Sequence, residues 1–282
     1  MEAGQTRHLA RFLAAQSLAR EAGLAALQLQ GEAGHLKVRE KGRHDLVTAA
    51  DTLAQEIIAF GVREAFPDDG FLGEEGENDL HALECDFTWV VDPIDGTANF
   101  AAGRPDWCVS IGILRRGKPV LGVIYRPVGD MLYTAATGKG ARLNGQPITV
   151  SSRASLEGAT VAVDYSVSSP IAEHTAILQR VVSAGADFRR SGSAACQLAN
   201  VAEGKLDGFI EMSLNAWDVC AGMVLVSEAG GWVCDFFAGG VEGAKPMIAS
   251  NMLLAAETRQ AAGHSGQPDE MVIARVIDGF QR

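Results

Sequence analysis

From Arg7 to Leu29, apolar residues recur at helical spacing: Leu9, Phe12, Leu13, Leu18, Leu24, Leu27 and Leu29 stand in an alanine-rich stretch and predict a packing helix. A second helix is predicted after Val47. There Thr48 and Asp51 have the form of a capping pair, Leu53, Ile57, Ile58 and Phe60 follow on one side, and Pro67-Asp-Asp-Gly70 ends the run. The period then changes. Segments at Trp89–Val91, Cys108–Leu114, Val120–Tyr125 and Met131–Thr134, set apart by turn signals such as Arg116-Gly117 and Pro127-Val-Gly129, predict consecutive, largely antiparallel strands. Beyond them the type alternates: a strand near Ala159–Val163, helices near Ile171–Ala184 and Ala194–Glu203, a strand at Phe209–Met212, a helix from Ala216 to Ala229 and a strand at Trp232–Asp235. A final helix is predicted over Glu270–Phe280. The expectation is an α/β protein, α+β over residues 1–150 and α/β over 151–282, with the boundary at Ser151 to Gly158.

Composition narrows the classes. A chain of 282 residues with 47% hydrophobic and 21% charged residues buries a large core and is not a disordered chain. Its net charge of −11 argues against long-range attraction to nucleic acid or an anionic membrane face, so neither is expected as a partner. The five cysteines, Cys85, Cys108, Cys196, Cys220 and Cys234, are widely spaced without a C-x-x-C pair and read as reduced thiols. No basic and apolar leader opens the chain and no run of ~18 apolar residues occurs, which points to the cytoplasm. Trp89, Trp107 and Trp232 read as core aromatics, with no basic patch beside them.

Acidic clusters interrupt the pattern at strand and helix ends: Gly73-Glu74-Glu75, Asp92-Pro-Ile-Asp95-Gly-Thr97 and Trp217-Asp218. In the second, a buried strand ends at Val91 and the chain turns through Pro93 and Gly96, so both aspartates can face one point beyond the strand. Mg²⁺ takes octahedral oxygen coordination and keeps some waters, and Glu74, Asp92, Asp95 and Asp218 could supply its carboxylates. Bound divalent ions would also reverse the sign of an acidic site toward a phosphate. Each cluster taken alone is read first as an ordinary turn, a solvated loop or a helix cap.

Written out, the motifs are Phe71-Leu-Gly-Glu-Glu75, Trp89-Val-Val-Asp-Pro-Ile-Asp-Gly-Thr-Ala-Asn-Phe100 and Asn215-Ala-Trp-Asp-Val-Cys-Ala-Gly222. In order and spacing they resemble the inositol monophosphatase family, whose pattern has G-E-E, then D-P-[IL]-D-G-T, then W-D followed by small residues. The resemblance runs from Asp45 to Gly231. It implies a layered αβαβα sandwich of the sugar-phosphatase type, with the site between the two halves. It also implies Mg²⁺, two or three ions per site, a homodimer and lithium inhibition.

By the same resemblance, Glu74, Asp92 and the carbonyl of Ile94 hold one metal, and Asp92, Asp95 and Asp218 hold another. Thr97, with Glu74, orients the attacking water; the amides of Gly96 and Thr97 face the phosphate. Gly192, Ser193 and Ala194 line the substrate, while Glu211 and Asp218 accept from its hydroxyls. Asp51 corresponds to a further metal position but also reads as helix capping. Glu75 and Lys41 read as supports of the site or as solvated surface groups. The implied activity is Mg²⁺-dependent hydrolysis of a small phosphate monoester, inositol 1-phosphate first, by metal-activated water in line with the leaving alkoxide. Histidinol phosphate, 3′-phosphoadenosine 5′-phosphate and fructose 1,6-bisphosphate are the alternatives within the superfamily. A regulatory scaffold is the alternative of another class, since some bacterial relatives bind transcription machinery.

Overall fold

The computed structural model describes residues 2–31, 39–42, 45–47, 49–76 and 80–264. Helix α1 (Glu2–Gly31) is followed by strands β1 (Arg39–Gly42) and β2 (Asp45–Val47), helix α2 (Ala49–Ala65) and strands β3 (Gly70–Gly73) and β4 (Phe87–Asp95). A short helix α3 (Thr97–Ala101) precedes β5 (Cys108–Arg115), β6 (Lys118–Arg126), β7 (Met131–Ala136), β8 (Ala141–Leu143) and β9 (Gln146–Ile148). Next come β10 (Thr160–Val163), α4 (Ile171–Ser183), β11 (Asp187–Arg189), α5 (Ala194–Ala202) and β12 (Gly208–Leu214). Helix α6 (Ala216–Glu228), β13 (Gly231–Val233), β14 (Lys245–Asn251) and α7 (Ala255–Ala261) follow.

Strands β3 to β9 lie in sequence order in a seven-stranded sheet. Its strands are antiparallel except that β3 runs parallel to β4. The other large sheet has five strands in the order β11-β10-β12-β14-β13. There β10 is parallel to both β11 and β12, and β14 is antiparallel to both its neighbours. Helices α1 and α2 cover one face of the seven-stranded sheet, with Ala15, Ala19, Ile58 and Val62 clustering with Trp89, Ile111 and Val123. Helices α5 and α6 fill the space between the sheets, where Leu198, Val219 and Leu225 join Val90, Ile124, Phe209 and Met247. Helices α4 and α7 close the far face, with Ile177, Val181 and Ala261 beside Val161, Ile210 and Ile248. The layering is αβαβα, an α/β fold of the expected kind.

Two features let α6 lie close on the seven-stranded sheet. Gly112 and Gly122 are cross-strand partners in β5 and β6; a Cβ on Gly112 would collide with Cys220 Sγ and one on Gly122 with Ala221 O. At the other end of α6, the Glu228 carboxylate accepts from the amides of Gly138 (2.8 Å), Lys139 (3.0 Å) and Gly140 (2.8 Å) in the β7–β8 turn.

Several expectations are corrected. The apolar pattern of α1 marks the buried face only in part: Phe12, Leu18, Leu27 and Leu29 pack against the core, but Leu9, Leu13 and Leu24 are 56%, 57% and 52% exposed, and Ala15, Ala19, Ala22 and Ala26 are the buried residues. Small residues bring the helix against the sheet, so close that a Cβ on Gly23 would stand 2.7 Å from the Tyr125 ring. In α2, Ile58 faces inward but Leu53 and Phe60 are exposed. Strands β3, β8, β9, β11 and β14 and helix α7 carried no sequence pattern strong enough to predict them; β11 is exposed along its whole length. Thr48, the helix over Glu270–Phe280 and the Lys41 side chain lie outside the described residues. Trp89, Trp107 and Trp232 are core residues, and all five cysteines are free thiols.

Candidate active site

The site begins with a fault in a strand. Asp92 and Asp95 are three positions apart, and in a regular strand they would point to opposite faces. Here Asp92 pairs with Ser110 and Asp95 with Cys108, so three steps along β4 match two along β5. Positions 108 and 110 share a face of β5, and the extra residue therefore turns both aspartates to one side. Pro93 is tolerated within this bulge because β3, the neighbour on the other edge, stops pairing at Gly73 opposite Val91. Where β3 stops, the Glu74 amide donates to Val91 O at 3.0 Å, which sets Glu74 beside Asp92. The Asp92 carboxylate in turn accepts from the Ile94 amide at 3.0 Å, tightening the bulge.

Asp218 arrives from another layer. It occupies the third position of α6 and closes a capping box with Asn215, whose amide donates to Asp218 Oδ2 at 2.6 Å. Ser110 Oγ donates to Trp217 O at 3.3 Å, joining this helix end to β5 next to the bulge. The N-terminus of α6, the end of β3 and the end of β4 thus deliver Glu74, Asp92, Asp95 and Asp218 to one place.

Their electrostatics follow from that convergence. Burial holds Asp92 well above the usual carboxylate range, and the neighbouring Glu74, Asp95 and Asp218 carboxylates push it further. Asp218 is raised well above its ordinary value by burial and then by Asp95 and Glu74. Burial lifts Asp95 to about 6, against donors from Ser193 and Ala195 that favour its ionised form. Among the described residues no three Asp, Glu, His or Cys side chains close into a metal cage by themselves. Mg²⁺ does not require one, because it keeps several waters and takes only a few protein oxygens. An all-oxygen donor set whose members repel one another suits a hard divalent cation, which would relieve that repulsion. Glu74, Asp92, Ile94 O, Asp95 and Asp218 are the groups that would hold it.

Around this core, Thr97 Oγ1 lies 3.1 Å from Ile94 O and 3.2 Å from Asp51 Oδ1, on the fully buried Asp51 at the start of α2. Gly96 caps α3 with φ 96°, a left-handed conformation, and no side chain caps that helix. Glycine is also required there for space, since a Cβ would meet Asp106 O at 2.9 Å. Glu211, on β12, is buried and raised well above its ordinary value by burial and by Asp164, Asp218 and Asp95, with Arg190 opposing.

The Gly192-Ser193-Ala194 segment lies against Asp95. Ser193 Oγ and the Ala195 amide each donate to Asp95 Oδ2 at 2.6 Å, and Ser193 also caps α5. Ser193 and Ala194 are buried, so of the segment only Gly192 is exposed. Its amide is taken by Asp164 Oδ2 at 3.2 Å. Ser193 Oγ and the Ala195 amide therefore brace Asp95. Asp164, Asn99 and Arg190 are neighbours that sequence reasoning did not assign. Asn99 was signalled only as the continuation after Thr97, and Asp164, at the end of β10, belongs to no acidic cluster. Glu75 is held by Gln55: its amide donates to Gln55 Oε1 at 2.9 Å, and its carbonyl accepts from Gln55 Nε2.

Known proteins share this chain's sequence and fold. The sequence model of the inositol monophosphatase family matches residues 8–276. An inositol-1-monophosphatase of Rhizobium meliloti is 39% identical over 244 residues, 86% of this chain and 87% of its own. The Nus factor SuhB of Xylella fastidiosa is 40% identical over 221 residues, 77% of this chain and 79% of its own. The crystal structure of the extragenic suppressor protein suhB from Bartonella henselae superposes with a TM-score of 0.83 at 37% identity, covering 90% of this chain and 98% of that one.

Proposed function

The chain belongs to the inositol monophosphatase family, whose model matches residues 8–276, and from that premise we propose that it hydrolyses a small phosphate monoester, inositol 1-phosphate first among candidates, with Mg²⁺. The observation that carries the reading is the convergence of Glu74, Asp92, Asp95 and Asp218, from three separate segments, at a point where burial and then neighbouring carboxylates force Asp92 and Asp218 toward the neutral form and burial does the same to Asp95. Such a cluster is unfavourable for a protein with no cation to receive.

Glu74, Asp92 and Ile94 O would hold one ion and Asp92, Asp95 and Asp218 a second. When bound, Mg²⁺ supplies Lewis-acid charge to the phosphoryl oxygens, the attacking water and the leaving alkoxide. The protein's own groups do the positioning. The Thr97 hydroxyl has one proton, directed to Asp51 Oδ1 or Ile94 O, so its lone pairs can accept a hydrogen bond from the water aimed at phosphorus. Glu74 takes the water's other side. The Gly96 and Thr97 amides, at the start of α3, which no side chain caps, would face a phosphate oxygen. Glu211, on the side of Asp218, accepts hydroxyls of the alcohol. No covalent enzyme intermediate is required.

The test is phosphate release by the purified protein, with and without Mg²⁺, from inositol 1-phosphate, histidinol phosphate, 3′-phosphoadenosine 5′-phosphate and fructose 1,6-bisphosphate. Preference for the first, with Asp95→Asn losing turnover by on the order of a thousandfold, supports the reading. Mg²⁺-independent release, or full turnover in Asp95→Asn, overturns it. A second reading, a scaffold role alongside or instead of catalysis, is favoured by relatives such as the Xylella fastidiosa protein named Nus factor SuhB. A scaffold keeps its partner binding in Asp95→Asn, whereas catalysis does not survive that change.

A further inference from the structure

We propose that Asn99 is a positioning residue: with Asp164 it clamps the Ser191-Gly192 turn from opposite sides and so fixes the segment that holds Asp95. The inference rests on the metal-site reading of Asp95 and extends it to residues outside the proposed ligand set.

Asn99 is 6% exposed and stands in α3. Its carboxamide nitrogen donates to Asp106 O and to Ser191 O, both at 2.7 Å. A carboxamide nitrogen has two protons, so both are used, and the alternative amide orientation would set oxygen against two carbonyls. On the far side of the turn, Asp164 Oδ1 accepts from the Ser191 amide at 3.1 Å and Oδ2 from the Gly192 amide at 3.2 Å. The turn is thus held by its carbonyl from the seven-stranded sheet's side and by its amides from the end of β10. It leads directly into Ser193 and Ala195, whose 2.6 Å bonds locate Asp95 Oδ2. Asp106 O, the other acceptor of Asn99, is also what a Cβ on Gly96 would strike, so the same side chain fixes the wall behind Gly96. Aspartate at position 99 would have the shape but no donor, which is the chemical reason for an amide here.

The experiment measures Mg²⁺ binding by calorimetry without substrate, kcat and KM separately, and amide exchange of the 191–195 segment, in Asn99→Ala, Asp164→Asn and the double variant. The expected result is a ~10-fold loss of Mg²⁺ affinity in Asn99→Ala, of the size seen when groups supporting metal ligands are removed, with cooperative unfolding retained. Exchange at 191–195 accelerates, and the second substitution adds less than it does alone, because both act on one turn. A merely structural role lowers stability and leaves affinity, KM and exchange at 191–195 as in the parent; that result overturns the proposal. Should Asn99→Ala fail to fold, Asp164→Asn loosens the same turn and is judged by the same exchange. If the parent protein neither binds Mg²⁺ nor cleaves any ester, the functional reading falls, and amide exchange alone decides the clamp.

Discussion

Asp95 is held by short bonds from Ser193 Oγ and the Ala195 amide, yet burial still lifts it from 3.8 to about 6. A carboxyl whose folded value lies above its unfolded one contributes stability that is present below the unfolded value and lost as pH rises through the folded one. In metal-free protein that loss falls between 3.8 and about 6. Asp95→Asn cannot titrate, so parent and variant should be close in stability near pH ~4, and the variant should be more stable near pH ~7.5 by up to about 3 kcal/mol. Thermal unfolding in a chelator at both pH values checks this, and equal differences at the two would contradict it. Thr97 makes a separate claim: Thr97→Val removes the hydroxyl at nearly constant volume and should lower kcat by roughly 100-fold or more. Calorimetry should find its Mg²⁺ binding close to the parent's. At this scale the sequence motifs named Glu74, Asp92, Asp95, Thr97 and Asp218. They did not reveal Asp164 or the hold of Ser193 and Ala195 on Asp95, because hydrogen bonds across the interior leave no local spacing.

At the scale of elements, the placement of α6 controls Asp218. The helix lies on Gly112 and Gly122, where any side chain would strike Cys220 or Ala221. Gly122→Ala should destabilise the protein by about 1–3 kcal/mol, the usual penalty for overpacking, and weaken Mg²⁺ binding by moving Asp218. A chemical denaturation curve with parallel calorimetry separates the two effects; unchanged Mg²⁺ affinity would mean that the capping box with Asn215 alone sets Asp218. The helices and the long central strands were legible from periodicity, since burial of a 3.6- or 2-residue face is a local property. The centre of the inward face of α1 was not. Leucine marks hydrophobicity, but close approach to Tyr125 and its neighbours selected the alanines and Gly23.

For the molecule as a whole, the acidic groups are supplied by different layers: Glu74, Asp92 and Asp95 by the seven-stranded sheet's end, Asp218 by the middle helix layer and Glu211 by the five-stranded sheet. A ligand bound there ties the layers together and favours the folded state by mass action. Mg²⁺ at ~100 times its dissociation constant should add about 2.7 kcal/mol, raising the melting temperature, and Asp95→Asn should abolish most of that rise. A Mg²⁺-insensitive melting temperature in the parent would count against the metal site.

The sequence by itself determined the class of fold, the acidic motifs and their order, and the net charge of −11. Those are properties of neighbours along the chain and of overall composition. Only the tertiary structure decided that Asp92 and Asp95 share a side of β4, that Ser193 and Ala195 brace Asp95 from another layer, and that Asn99 and Asp164 meet across one turn. Each depends on a bulge register or on hydrogen bonds between segments far apart in sequence. Such pairings are selected by the packing of whole layers, which residue periodicity does not encode.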